Sequence, residues 1–376
     1  NTVYFSATDM EDMGVNTNQE IYCLDLNENE VEEITNNLDK SLGTSVGNDS
    51  RMGSGKYSEI EEGNLYFITT EGYNSYLNKL TDDGIEKIIN EKGTVDMFDI
   101  KGNNIAYIGF RNNKLQELYL YKDGEDRQIS NFNKEILEDK MISTPEHFIV
   151  EASDGVELDA WVMKPVGYTE GEKYPTILEI HGGPKGAYGE IFFHEFQILA
   201  NEGYAVVYSN PRGSSGKGNE FADIRGDYGG RDYKDLMEVM DKAVENFDFI
   251  DEDKLGVGGG SYGGFMTNWV IGHTDRFKAA VSQRSISNWI SKFCTTDIGY
   301  FFVNDQFGGA TPWNDFEKLW DGSPLKYADK VNTPTLFIHS EEDYRCWLPE
   351  GIQMFTALKY HDVDSRLCMF KGENHE

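Results

Sequence analysis

At 376 residues the chain exceeds what one hydrophobic core usually serves, so two domains are expected. Hydrophobic residues make up 39% and aromatic residues 13%, ample for packed cores, and no run of about 18 apolar residues appears, so no membrane span is expected. The 34 basic against 66 acidic residues leave a net charge of −32, a surface that repels nucleic acid because binding there rests on neutralising phosphates.

That acidic field either draws cationic peptides toward the protein or serves solubility alone. The opening segment NTVYFSATDM lacks the basic, apolar, small-residue order of a signal peptide, and none is expected. Cys23, Cys294, Cys346 and Cys368 have no CxxC spacing, which fits reduced thiols in a cytoplasmic protein better than a zinc site; a single Cys346–Cys368 bridge stays open.

Two textures divide the chain, at residues 1–138 and 139–376. The first alternates short β-type runs with Asn, Asp and Gly turns. Thr2-Val3-Tyr4-Phe5 and the run from Ile21 to Leu26 open it. Asn64 to Ile68 and Tyr76 to Leu80 follow, then a Thr81-Asp82-Asp83-Gly84 turn and Ile85 to Ile89. Asn104 to Ile108 restarts the cycle, continuing through Glu117 to Tyr121. Leu65 and Ile105 lie 40 residues apart, which matches a four-stranded propeller blade. About three blades are expected, fewer than the roughly four that close a ring, so this segment reads as the later part of a longer β-propeller.

From residue 139 the pattern becomes strands alternating with helices, the mark of a mostly parallel sheet flanked by helices. Strands are expected at Pro175–Ile180, Tyr204–Tyr208, Leu255–Gly259, Ala279–Val281, Thr335–Ile338 and Arg366–Phe370. Asp232 to Phe247 reads as a helix with Leu236, Val239, Met240 and Ala243 on one face. Pro349 suits the first turn of a helix running to about Tyr360.

Gly259-Gly260-Ser261-Tyr262-Gly263 is Gly-x-Ser-x-Gly set between a strand and a helix, the context a nucleophile elbow needs. Small flanking residues permit the sharp turn, and the following helix N-terminus favours developing negative charge. A serine hydroxyl needs a neighbouring base, and in an α/β-hydrolase the chain order is Ser, acid, His. The acid should follow a strand: Asp343 is chosen, with Glu341 and Glu342 as competitors. His375, after the last strand, occupies the position of the base. The oxyanion of a tetrahedral intermediate needs two N–H donors. Tyr262 supplies one, and the His181-Gly182-Gly183-Pro184 loop supplies the other through Gly183, since Pro184 has no N–H. His181 reads as a loop brace, and His339 and His273 as packing histidines.

These segments resemble the prolyl oligopeptidase family, in its acylaminoacyl-peptidase and dipeptidyl-peptidase-like branch. The likeness rests on HGGP at His181, NPRGSSGKG from Asn210, GGSYGGFMTNW from Gly259, SQRSISNW from Ser282, EEDYRC from Glu341 and GENHE from Gly372. It implies an α/β-hydrolase domain preceded by a propeller that admits only short peptides, with Ser261, Asp343 and His375 as catalytic residues. It implies that Arg345 holds a substrate carbonyl, a salt bridge to Glu341 or Glu342 being the plainer role. It implies too that Trp289, Ile286 and Tyr300 form an apolar substrate pocket. No metal or organic cofactor is needed. Short peptides are the expected partners, with no nucleic acid and no membrane, and open sheet edges invite pairing with a second copy. Family members carry more blades and continue past the catalytic histidine, so a fragment of a longer chain is expected. A carboxylesterase with the same residues, and an inert propeller-based binding protein, are the rival readings.

Overall fold

The computed structural model describes residues 2–35, 37–53, 55–81 and 83–375. Asp82 of the expected turn and Glu376 of the GENHE motif lie outside the described residues. The chain divides into two compact units. One takes the chain up to Ile142 with Lys185–Gln197 and Ser214–Asp223; the other comprises Ser143–Pro184, Ile198–Gly213 and Ile224 onward.

The first unit holds three separate antiparallel sheets of three, five and four strands. Strands Thr2–Ala7, Glu20–Asp25 and Glu30–Glu33 form the first. The second centres on Asn64–Glu71 and Asn74–Thr81, and the third on Asn104–Gly109 and Glu117–Lys122. Alternation sets the buried face: Ile105 and Tyr107 point inward with Ile68, Leu77, Ile89, Phe98 and Ile100 in one apolar cluster. The short outer strands Glu30–Glu33, Ser58–Glu61, Met97–Lys101 and Glu125–Gln128 were not singled out from sequence. Two of them, Glu30–Glu33 and Glu125–Gln128, are exposed throughout and carry no hydrophobic alternation to mark them.

The second unit is built on an eight-stranded sheet: β1 (Pro145–Glu151), β2 (Glu157–Met163), β3 (Tyr174–Ile180), β4 (Ala205–Asn210), β5 (Ile250–Gly260), β6 (Ala279–Gln283), β7 (Thr335–Ser340) and β8 (Ser365–Phe370). Their spatial order is β1-β2-β4-β3-β5-β6-β7-β8. The pairs from β4 across to β8 are all parallel, whereas β1, β2 and β4 pair antiparallel. The β1–β2 hairpin is an addition to the sequence reading, which followed strand–helix alternation and so passed over two strands joined by a tight turn. Four helices matter for the site: α1 (Arg231–Asn246), α2 (Tyr262–His273), α3 (Trp289–Thr295) and α4 (Leu348–Tyr360). On α1, Leu236, Val239, Met240 and Ala243 are fully buried, the face expected from their spacing. Each large side chain so buried contributes roughly 1.5–3 kcal/mol.

The same helix carries a buried carboxylate. Asp235 accepts hydrogen bonds from the Arg212 backbone N–H and Nε (both 3.0 Å), from Arg212 Nη2 (2.6 Å) and from Arg231 Nε (3.0 Å). Asp235→Ala would remove the buried acceptor the two guanidinium groups share, leaving Arg212 on Asp154 and Arg231 on Glu238, and we expect a loss of about 1–3 kcal/mol of stability in urea unfolding.

Candidate active site

β5 runs out through Gly258-Gly259-Gly260, and the chain then reverses into α2 within one residue. That residue is Ser261, with φ 61° and ψ −118°, a backbone conformation that non-glycine residues rarely adopt. Close packing enforces the turn. A Cβ on Gly263 would fall 2.0 Å from the Ile180 carbonyl oxygen, so no larger residue fits there. The strain lifts the serine clear of the sheet. Its Oγ lies 3.0 Å from His375 Nε2 and 4.0 Å from Cys346 Sγ.

The partners arrive from the ends of β7 and β8. Asp343 follows β7 and is fully buried; its Oδ1 accepts the backbone N–H groups of Arg345 (3.0 Å) and Cys346 (2.8 Å). Its Oδ2 accepts His375 Nδ1–H at 2.7 Å. Burial pushes the Asp343 carboxyl up, but the hydrogen bonds from His375 and the Cys346 N–H outweigh it and hold the group below the ordinary carboxylate range. An ionised acceptor fixes the proton on Nδ1 and leaves the Nε2 lone pair facing the serine. Glu341 and Glu342, the competing acids, are exposed. Their backbone N–H groups instead bond the Phe370 and Glu373 carbonyls, tying the acid loop to the segment that delivers His375. Ser261, His375 and Asp343 thus form one hydrogen-bonded chain, in which an imidazole can take a hydroxyl proton as the oxygen attacks a carbonyl.

The HGGP loop follows β3, next to β5 in the sheet. A Cβ on Gly182 would sit 3.3 Å from both the Gly260 carbonyl oxygen and Ser261 Cβ, so this loop lies against Ser261. Gly183 has φ 129°, which a larger residue would not tolerate, and it is exposed. His181 is buried with Nδ1 2.8 Å from the Gly182 carbonyl oxygen; burial pushes it down to about 4, which leaves it neutral and bracing the loop.

Residues 190–376 match the model of the prolyl oligopeptidase family. Through that segment the chain belongs to the prolyl oligopeptidase family. It is 41% identical over 362 residues to an uncharacterized peptidase of Bacillus subtilis, YuxL, covering 94% of this chain and 55% of that one. Dipeptidyl-peptidase 5 of Schizosaccharomyces pombe is 36% identical over 226 residues, covering 59% of this chain and 33% of that one. Among solved structures, Pyrococcus horikoshii acylaminoacyl peptidase superimposes with TM-score 0.89 at 32% identity, over 100% of this chain and 57% of that one. The matched part of the chain spans between about a third and little more than half of the length of these relatives.

Against this family background, several residues stand where sequence reasoning did not put them. Arg345 pairs with neither Glu341 nor Glu342. Its Nε and Nη2 grip Asp297 at 3.0–3.1 Å, a partner 48 positions away that no local pattern announces. Trp289, expected in a pocket, is fully buried: its ring packs on Phe265, Phe307 and Tyr228, and its Nε1–H donates to the Gly322 carbonyl at 3.0 Å. Ile286 is 4% exposed, whereas Tyr300 is 66% exposed and packs edge-on against Phe301. An indole enclosed on this scale stiffens the core rather than facing solvent. All four cysteines are free, Cys346 buried and Cys368 exposed, so the bridge left open is not formed. Among the described residues no three His, Cys, Asp or Glu side chains group as metal ligands, and no helix is long and apolar enough to cross a membrane.

One buried neighbour of the Ser261 turn was missed altogether. The Tyr262 hydroxyl donates to Asp232 Oδ2 at 2.6 Å, both groups being buried, so the residue after Ser261 is anchored to α1. Burial pushes the Asp232 carboxyl up to about 7, against the pull of the Tyr262 hydroxyl and the backbone N–H groups of Gly229 and Tyr233. Folded, this group keeps its proton to about pH 7; unfolded, it loses it near the ordinary aspartate value of 3.8. The folded state holds the extra proton between those limits, so this contribution to stability falls as pH rises through them and changes little above. Asp232→Asn is expected to gain on the parent by roughly 4 kcal/mol across that window. Urea midpoints of the two proteins at pH 4.5 and 7.5 read this difference, and parallel profiles would contradict it.

Proposed function

We propose that the chain is the catalytic part of a serine peptidase that cleaves short peptides through an acyl-enzyme, of the acylaminoacyl or dipeptidyl type. The observation that carries this reading is the Ser261–His375–Asp343 chain, with contacts of 3.0 and 2.7 Å at the carboxyl ends of β5, β7 and β8. Ser261 Oγ attacks the carbonyl while His375 Nε2 takes its proton, then returns it to the leaving amine. Asp343 holds the imidazole and stabilises its cation without taking up the proton. Water repeats the cycle and releases the acyl group. The N–H groups of Tyr262 and Gly183 receive the oxyanion. Arg345, with two of its nitrogens on Asp297, has donors left for a substrate carbonyl. Of the three residues the resemblance assigns to an apolar pocket, Tyr300 alone is exposed enough to meet a substrate.

Solved relatives support a peptide substrate: one acylaminoacyl peptidase, TM-score 0.90 and 32% identical, is a complex with Z-Gly-Gly-Phe-chloromethyl ketone. The three N-terminal sheets we read as blades of a partial propeller, with residues 1–138 and 139–376 as the domains; the 40-residue recurrence of matching strands at Asn64 and Asn104 supports this. The restriction to short peptides rests on that reading. Four free thiols suit a reducing compartment, the cytoplasm.

The test is kcat/KM on three matched substrates: an N-acetylated amino-acid anilide, a free-amine dipeptide anilide and a short aliphatic ester. Cleavage of either anilide supports a peptidase and assigns its type. Strong ester turnover with neither anilide cleaved would make the protein a carboxylesterase.

A further inference from the structure

Lys292 lies on α3, 1% exposed, and no step of the proposed reaction uses it. Lysine is almost never fully buried without a partner, because stripping water from an ammonium is costly. Its Nζ donates to the Arg345 carbonyl oxygen, lies 3.6 Å from Cys346 Sγ and sits 5.9 Å from the Phe302 ring centroid. A carboxyl that feels its charge is Glu350 in the first turn of α4, fully buried and pushed up by that burial, whose Oε2 accepts the N–H groups of Ser287 (3.1 Å) and Asn288 (2.9 Å) just ahead of α3.

These contacts converge on the turn from Asp343 to Cys346. Its N–H groups are spent on Asp343 itself, which leaves its carbonyls to be held from outside. Lys292 takes that of Arg345, His339 Nε2 takes that of Cys346 at 2.5 Å, and the Asp297 N–H takes that of Tyr344 at 3.1 Å. Lys292 and Asp297 flank one short stretch, so the same segment holds Arg345 at its carbonyl and at its guanidinium. The Cys346 thiol lies between Lys292 Nζ and the Ser261 hydroxyl, at 3.6 and 4.0 Å. Movement of this turn shifts the acid, the arginine and the wall beside the nucleophile together.

We propose that Lys292 is a positioning residue: its buried Nζ, bonded to the Arg345 carbonyl and set against the Cys346 thiol, fixes the turn that carries Asp343 and Arg345. The inference rests on Ser261 being the nucleophile. A lysine that served only to fill the core would matter for stability and not for the rate per folded molecule.

The experiment compares the parent with Lys292→Met, which keeps the length but no donor, and Lys292→Gln, which keeps a donor. Fluorophosphonate labelling rates and kcat and KM on a small ester are measured, with thermal unfolding to count folded protein. Misplacing a catalytic group by an ångström lowers rates by up to about 10²-fold, so Lys292→Met should lose on the order of 10- to 100-fold in kcat and labelling, with KM little changed. Lys292→Gln should recover part of that loss. Where Lys292→Met does not fold, a reduced labelling rate in folded Lys292→Gln supports the proposal. A folded variant that labels and turns over at the parent rate overturns it. If the parent itself neither labels nor hydrolyses the ester, the functional reading falls and this inference with it.

Discussion

Ser261→Ala is expected to lower kcat by on the order of 10⁶-fold while leaving the fold intact. The magnitude follows from what the serine does and from what remains without it. Its Oγ, at the turn just ahead of α2, lies 3.0 Å from His375 Nε2, so removing it leaves the imidazole nothing to activate but water. The backbone strain at this position, φ 61°, persists in the variant, because it is enforced by Gly263 against the Ile180 carbonyl and not by the hydroxyl. Thermal unfolding should therefore move little. Turnover of any matched substrate reads the effect, and a variant retaining more than a small fraction of parent kcat would remove Ser261 from the reaction.

Asp343→Asn should follow with a drop of about 10⁴-fold in kcat, through tautomer choice rather than misfolding. The two backbone N–H groups of Arg345 and Cys346 demand an oxygen at the Oδ1 position. An asparagine placed there keeps its carbonyl oxygen on those donors and so turns its NH₂ toward His375 Nδ1. The imidazole must then accept at Nδ1 and carry its proton on Nε2, where it cannot receive one from Ser261. Nuclear magnetic resonance of the histidine ring nitrogens separates this from a plain loss of charge: the variant should show the Nε2–H form. A variant with the Nδ1–H form and parent-like turnover would contradict the argument.

Much of this was legible in the residues, and the reason lies in geometry. Ser261, Asp343 and His375 each follow a β-branched or apolar strand ending in small or polar residues, so strand ends located them without knowledge of contacts. Choosing among Glu341, Glu342 and Asp343 was a different matter. It depends on which side chain the loop turns inward, and the paired N–H groups that favour Asp343 appear only once the turn is folded. Arg345 and Asp297, like Tyr262 and Asp232, meet across 48 and 30 positions, and nothing local in either partner signals the other. Lys292, in the run Asn288-Trp289-Ile290-Ser291-Lys292, looks from sequence like any solvated helical lysine; its burial is set by α4 and the acid turn. The β1–β2 hairpin was passed over because its Ser153-Asp154-Gly155 turn breaks the strand–helix rhythm that organises the rest of the unit.

The central claim is that one serine hydroxyl, and no other, is made nucleophilic by its neighbours. Intact-mass and peptide mass spectrometry after reaction with a fluorophosphonate addresses it directly. The account predicts a single adduct per chain on the peptide containing Ser261, abolished by prior denaturation. An unmodified protein, or an adduct on a different serine with Ser261 untouched, would contradict it.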